Sequence, residues 1–239
     1  MSLKTQSIID HLLELRKRII NCLITVLLFF LFLICFSNNI YIIIASPLIK
    51  KMPPGTSMIS TDLSAPFFVP VKLTVFVSFF LSAPIIIYQF WQFIAPALYN
   101  NEKKIVFPIL FTSICLFYIG VIFSYFFILP FFFHFIINNM PTGIKIATDI
   151  EKYLDFITSL FLIFGSIFEV PIVIVILCWA KVLHLKKLKK KRSYFFLSSF
   201  IISIFLTPPD IISQTFLAIF IYLLFELGIL FAYFFCKNC

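Results

Sequence analysis

Read along the chain, apolar residues gather into six long runs separated by short polar stretches. The first run is Ile19 to Phe36, and Val71 to Phe93 is the second, with Pro84 inside it. Ile105 to Phe127 is the third, followed by Pro130 and more apolar residues to Ile137; Leu154 to Cys178 is the fourth. An α-helix rises about 1.5 Å per residue and the hydrocarbon core of a bilayer is ~30 Å thick, so each of these four can cross. The fifth run, Tyr194 to Leu206, has only 13 residues. It reaches roughly 20 Å and needs a locally thinned bilayer or longer neighbours. The sixth, Ile211 to Phe235, is again long enough. Between the first two runs, the apolar piece Tyr41 to Ile49 is too short to cross and reads as an interfacial helix on the far side. Pro66 and Pro70 fall just ahead of the second span.

Composition agrees with this pattern. Of the 239 residues 62% are hydrophobic and 12% charged, and the mean hydropathy is +1.11. Soluble domains sit nearer half apolar and a quarter charged, so this is an all-α, polytopic membrane protein in one domain spanning 1–239. The first run is too long for a cleavable signal peptide. A net charge of +9 does not point to nucleic acid, because the cations cluster in short loops beside apolar runs. With six spans both termini share a side, and the loops on that side hold 14 of the 19 Lys and Arg residues. That asymmetry assigns both termini to the cytoplasm. The six cysteines form no disulfide framework. Cys236 and Cys239 have Cys-x-x-Cys spacing, but no second ligand pair accompanies them, which argues against zinc.

A few polar residues stand out against this background. In Asp10-His11-Leu12-Leu13-Glu14-Leu15-Arg16-Lys17-Arg18, offsets of three and four stack His11, Glu14 and Arg18 on one helix face. Glu14 is placed to pair with Arg18. The cations alone suffice as an orienting anchor; the carboxylate is not needed for that and hints at a cationic ligand. Glu102, in the next cytoplasmic turn beside Lys103 and Lys104, shares that side with Glu14. Two carboxylates amid aromatic residues such as Phe93 suit paired guanidinium groups, through charge-assisted hydrogen bonds. Glu169 lies inside the fourth span, where a charge costs about 2.5–3.5 kcal/mol on insertion scales. It is either a packing residue bonded within the bundle or a contact for a partner, and Pro171 should kink the helix beside it. Asp210, after Thr207-Pro208-Pro209, is placed to cap the sixth helix. Glu226 reads as packing. Neither His-Glu-x-x-His nor Gly-x-Ser-x-Gly occurs, and the three histidines are dispersed, so no enzyme constellation is visible and no cofactor is implied.

Taken together, several motifs carry a resemblance. His11-Leu12-Leu13-Glu14-Leu15-Arg16-Lys17-Arg18, Ser46-Pro47-Leu48, Ser82-Ala83-Pro84, Phe93-Ile94-Ala95-Pro96-Ala97-Leu98 with Glu102, Phe168-Glu169-Val170-Pro171, and Leu206-Thr207-Pro208-Pro209-Asp210 with Gln214 occur in this order. The chain resembles TatC, the core membrane subunit of the twin-arginine protein translocase, over about residues 7 to 235, and is similar above all to enterobacterial members. The resemblance implies a concave bundle of six transmembrane helices with cytoplasmic termini and a short fifth helix, multi-pass in the bacterial inner membrane. It implies a receptor for Arg-Arg signal peptides of folded precursor proteins, in an oligomeric complex with TatA and TatB, driven by the proton-motive force. By the same resemblance the signal-peptide site comprises Glu14, Arg16, Phe93, Leu98 and Glu102. Glu169, Thr207, Asp210 and Gln214 are the implied partner contacts. A proton-coupled transporter using Glu169 as a relay is the rival reading, but it should show several polar residues at that depth, and Glu169 stands almost alone. An intramembrane assembly protein is a third; it would tolerate loss of Glu14 and Glu102.

Overall fold

The computed structural model describes residues 3–51, 59–60, 62–94, 103–132, 149–179, 183–206 and 211–235. Those residues are almost entirely helical, with a single parallel bridge between Ile59 and Asp149. Five helical stretches are long and apolar enough to cross a membrane: Leu12–Ile44, Ala65–Phe93, Phe107–Phe132, Ile150–Trp179 and Gln214–Phe234. A shorter apolar helix, Arg192–Ile204, makes the sixth. Large apolar side chains such as Leu23, Leu28, Phe32, Phe107 and Phe126 are exposed. In water they would be an aggregation hazard; facing lipid they are the expected outer surface.

The chain divides into two compact units. The first holds residues 1–102 and 141–158. Its long first helix, α1 (Leu3–Leu33), passes through a 3₁₀ turn at Ile34–Phe36 into α2 (Ser37–Lys51). The expected interfacial segment is thus the continuation of the first span rather than a detached piece. α3 (Ala65–Ile94) packs chiefly against α1. It starts earlier than the apolar run suggests, so Pro66 and Pro70 lie inside it. Pro66 sits in the first turn, where a missing N–H removes no intrahelical bond. Thr74, Ser78 and Ser82 follow at intervals of four, all fully buried. Their hydroxyls donate back to the carbonyls of Pro70, Thr74 and Phe79 at 2.7, 2.6 and 2.8 Å. Small residues of this kind let helices approach closely where lipid supplies no hydrophobic drive between them.

The second unit holds residues 103–140 and 159–239. α4 (Lys103–Phe123) widens into a π-helical turn at Ser124–Ile128, and the helical residues continue to Phe132. The wide turn lies just ahead of Pro130, whose ring would otherwise crowd the Phe126 carbonyl. The fourth span is two helices, α5 (Ile150–Phe168), which begins in the first unit, and α6 (Val170–Trp179), broken at Glu169. The interruption expected from Pro171 is therefore present, two residues before the proline. Asp149 caps α5, its Oδ1 accepting the Glu151 and Lys152 amides at 2.8 and 3.3 Å. α7 (Leu185–Lys190) is a single basic turn-and-a-half whose Leu185 and Leu188 are buried against α6 and α9. α8 (Arg192–Leu206) is the short span, and α9 (Ile211–Phe235) is the last.

Two close approaches knit this unit. A Cβ on Gly120 would stand 2.7 Å from the Phe164 carbonyl oxygen, and one on Gly228 2.9 Å from the Pro171 Cα. α4 therefore runs against α5, and α9 against α6, at distances that only glycine permits. Aromatic rings fill the remaining space: Phe123 stacks on Phe220 at 4.5 Å, and Phe195 on Phe225 at 4.0 Å.

Candidate functional sites

The face around Glu14 is built by α1 and the end of α3, both in the first unit. Arg18, one turn after Glu14, donates from Nε to Glu14 Oε1 at 3.0 Å and from Nη2 to the same oxygen. Its Nη1 reaches across to α3, to Gln92 Oε1 at 2.7 Å and Gln89 Oε1 at 3.3 Å. The pairing expected from the spacing is present, and Arg18 is its more enclosed member: 16% of its side chain is exposed against 34% for Glu14. One guanidinium thus clamps α1 to α3 and holds the carboxylate at the mouth of the membrane span. Arg16 is exposed on the neighbouring face of α1, and Phe93 is partly buried beside Gln92. Leu98 and Glu102 lie outside the described residues. Gln89 and Gln92 were missed by the sequence reading; two amides three apart at the end of an apolar helix were the available signal.

In the second unit Glu169 occupies the break between α5 and α6. Its Oε2 accepts a hydrogen bond from Ser113 Oγ of α4 at 2.5 Å. Its Oε1 is sealed from solvent and has no hydrogen-bond partner among the described residues. Half of this carboxyl group is therefore satisfied by the bundle and half is not. An unmet acceptor at this depth is costly, and a donor on a partner helix would relieve it. Ser113, Phe117 and Gly120 of α4 are all buried, as is Ser124 at the start of the π turn. The Gly120 contact with α5 therefore helps set the Ser113–Glu169 distance. Gln214 is partly buried in the first turn of α9, whereas Thr207 and Asp210 lie outside the described residues.

Two further clusters were not anticipated. Lys72 of α3 pairs with Asp155 at 2.5 Å and Glu151 at 3.7 Å. Glu226 of α9 accepts from Arg192 Nη2 and from Tyr222 Oη, each at 2.7 Å. Its packing role holds, with a specific cationic partner added.

Comparison with known proteins separates the readings that this geometry leaves open. The sequence model of the family TatC, Sec-independent protein translocase protein, matches residues 10–219. The chain belongs to the TatC family. It is 51% identical to the Sec-independent protein translocase protein TatC of Escherichia coli over 231 residues, 97% of this chain and 90% of that one. The TatC protein of Haemophilus influenzae is 50% identical over 232 residues, 97% of this chain and 91% of that one. The crystal structure of the twin arginine translocase receptor TatC superposes with a TM-score of 0.81 at 34% identity, covering 95% of this chain and 99% of that one. This TatC-family chain is accordingly a multi-pass component of a protein translocase, works in a complex with other Tat subunits, and is not an enzyme. The transporter reading of Glu169 falls with that.

Proposed function

We propose that this TatC-family chain is the receptor for twin-arginine signal peptides and the core scaffold on which the translocase assembles in the bacterial inner membrane. The observation that carries the proposal is the Glu14 carboxylate on α1, at the mouth of the first membrane span. It is one-third exposed and already accepts two N–H groups of a guanidinium, that of Arg18. A site with this geometry suits a second guanidinium, because the paired N–H donors of arginine match a carboxylate in a way a lysine ammonium does not. Glu102 supplies the second carboxylate of the site, and Arg16, Phe93 and Leu98 also belong to it. The bound segment is the Arg-Arg motif of a folded precursor. TatA and TatB contact Glu169, Thr207, Asp210 and Gln214, and the unmet oxygen of Glu169 supports that role for it. The proton-motive force drives passage, with no cofactor.

Glu14→Ala and Glu102→Ala test the reading. Each should lower crosslinking to a twin-arginine signal peptide while membrane insertion and the amount of protein stay unchanged. Unchanged crosslinking in both variants would remove the receptor assignment.

A further inference from the structure

The second unit carries a groove that the receptor reading does not use. It lies between α7, the start of α8 and the last turns of α9, encloses about 410 Å³, and is lined by Lys189, Arg192, Glu226, Tyr233, Leu227 and Leu230 among others. Its polar members are Lys189, Arg192, Glu226 and Tyr233. Lys189 Nζ stands over the Tyr233 ring, 5.4 Å from the centroid. Arg192 spends one N–H on Glu226, which also accepts the Tyr222 hydroxyl. Glu226 thus fixes the guanidinium in place, and the other four N–H groups of Arg192 have no hydrogen-bond partner among the described residues. The stretch 185–192 around them carries five lysines and one arginine and no acid. The wall below is apolar. Leu223, Leu227 and Leu230 follow one another along a single stripe of α9 and are 54%, 45% and 48% exposed.

Two cations beside a stripe of exposed leucines, on a membrane-spanning helix, are matched by one kind of molecule. We propose that this groove is a binding site for an anionic glycerophospholipid. Its phosphodiester would sit between Lys189 and Arg192 and its acyl chain along Leu230, Leu227 and Leu223. Charge complementarity selects this occupant. An apolar partner helix laid in the groove would bury the ammonium and the guanidinium against side chains that cannot accept their hydrogen bonds. A soluble phosphate would meet the cations but leave the leucine stripe unused. Basic pockets between membrane helices on the side rich in loop cations are suited to acidic head groups. Tyr233, amphipathic and under the Lys189 ammonium, fits an interfacial position.

The test is native mass spectrometry of the full-length protein, delipidated in detergent and offered phosphatidylglycerol or phosphatidylcholine. Lys189 has no carboxylate partner among the described residues whereas Arg192 is offset by Glu226, so one net cation, worth roughly a factor of five, predicts retention of phosphatidylglycerol about fivefold better than phosphatidylcholine. Lys189→Gln should remove about a factor of five, and it touches no buried contact. Arg192→Gln combined with Glu226→Gln leaves the net charge unchanged and should weaken retention of both lipids, through loss of the guanidinium hydrogen bonds to the phosphodiester. Leu227→Trp, which fills the wall, should abolish retention of the single bound lipid. Excess glycerol 3-phosphate should not displace the lipid if the leucine stripe contributes; complete displacement would reduce the site to an anion site and overturn the proposal. Equal retention of the two lipids, or a preference unchanged in all three variants, would also overturn it. So would a Leu227→Trp variant that keeps its lipid but sheds a co-purifying single-span subunit, because the groove would then belong to a helix.

Discussion

Substituting Gly120 by alanine separates two opposed effects by sign alone. In an open helix position this change stabilises by roughly 0.5–1 kcal/mol, because glycine is the poorer helix former. Here the new Cβ would lie 2.7 Å from the Phe164 carbonyl oxygen and 2.9 Å from the Phe168 ring, whereas ordinary contact begins at 3.4 Å. The obstruction is backbone, so no rotamer change relieves it, and α4 and α5 must part by about 0.7 Å, the shortfall from 3.4 Å at the carbonyl. Overpacking of this kind costs typically 1–3 kcal/mol and exceeds the propensity gain. The net expectation is a loss of about 1–2 kcal/mol in reversible unfolding by a denaturing detergent in mixed micelles. Gly165→Ala is the internal comparison. Its Cβ would meet the Phe117 ring at 2.7 Å, a side chain that can yield, so the loss should be smaller. Stabilisation of Gly120→Ala by the propensity term would refute the close approach. The same parting should stretch the Ser113–Glu169 hydrogen bond of 2.5 Å, so the variant should also weaken partner crosslinking near Glu169.

Three other outcomes follow from the same geometry. Asp149→Ala removes two N-terminal hydrogen bonds of α5 and should cost about 0.5–2 kcal/mol, read by the same unfolding titration; a change near zero would mean the cap carries no weight. Arg192→Ala and Glu226→Ala should couple by only about 0.5–1 kcal/mol in a double-mutant cycle, because the pair is 46% and 27% exposed and water screens it; coupling of several kcal/mol would place it in a drier setting than the structure does. Glu169→Leu removes an insertion cost of about 2.5–3.5 kcal/mol and should leave signal-peptide crosslinking intact while abolishing export. Full export by that variant would reduce Glu169 to packing.

Much of this fold is readable in one dimension, and what is not has a physical reason. Six apolar runs correspond to six membrane helices, and α9 coincides with its run from Ile211 to Phe235. The break at Glu169 follows from Pro171, since proline disfavours helix continuation before it. The start of α3 lies earlier than its apolar run suggests: Pro66 and Pro70 look like breakers, although a helix tolerates proline in its first turn, where Pro66 sits, and α3 carries Pro70 within it. The π turn at Ser124–Ile128 has no periodic signature, being a local answer to Pro130 and to packing. In the sites, Glu14 with Arg18 was legible because both lie on one helix at a spacing of four. Gln89 and Gln92, Ser113 beside Glu169, and Asp155 beside Lys72 were not. Periodicity shows which residues share a helix face, but not which face of which helix it meets. Leu98 and Glu102 rest on the motif Phe93-Ile94-Ala95-Pro96-Ala97-Leu98 alone.

Site-specific photocrosslinking from a position beside Glu102 tests the receptor assignment most directly, with a twin-arginine signal peptide compared against its Lys-Lys variant. Paired-guanidinium recognition by Glu14 and Glu102 predicts a strong crosslink to the Arg-Arg peptide that is lost with Lys-Lys. Equal crosslinking to both peptides would mean that these carboxylates supply only general charge, and the account of this chain as the twin-arginine receptor would be wrong even with every helix in place.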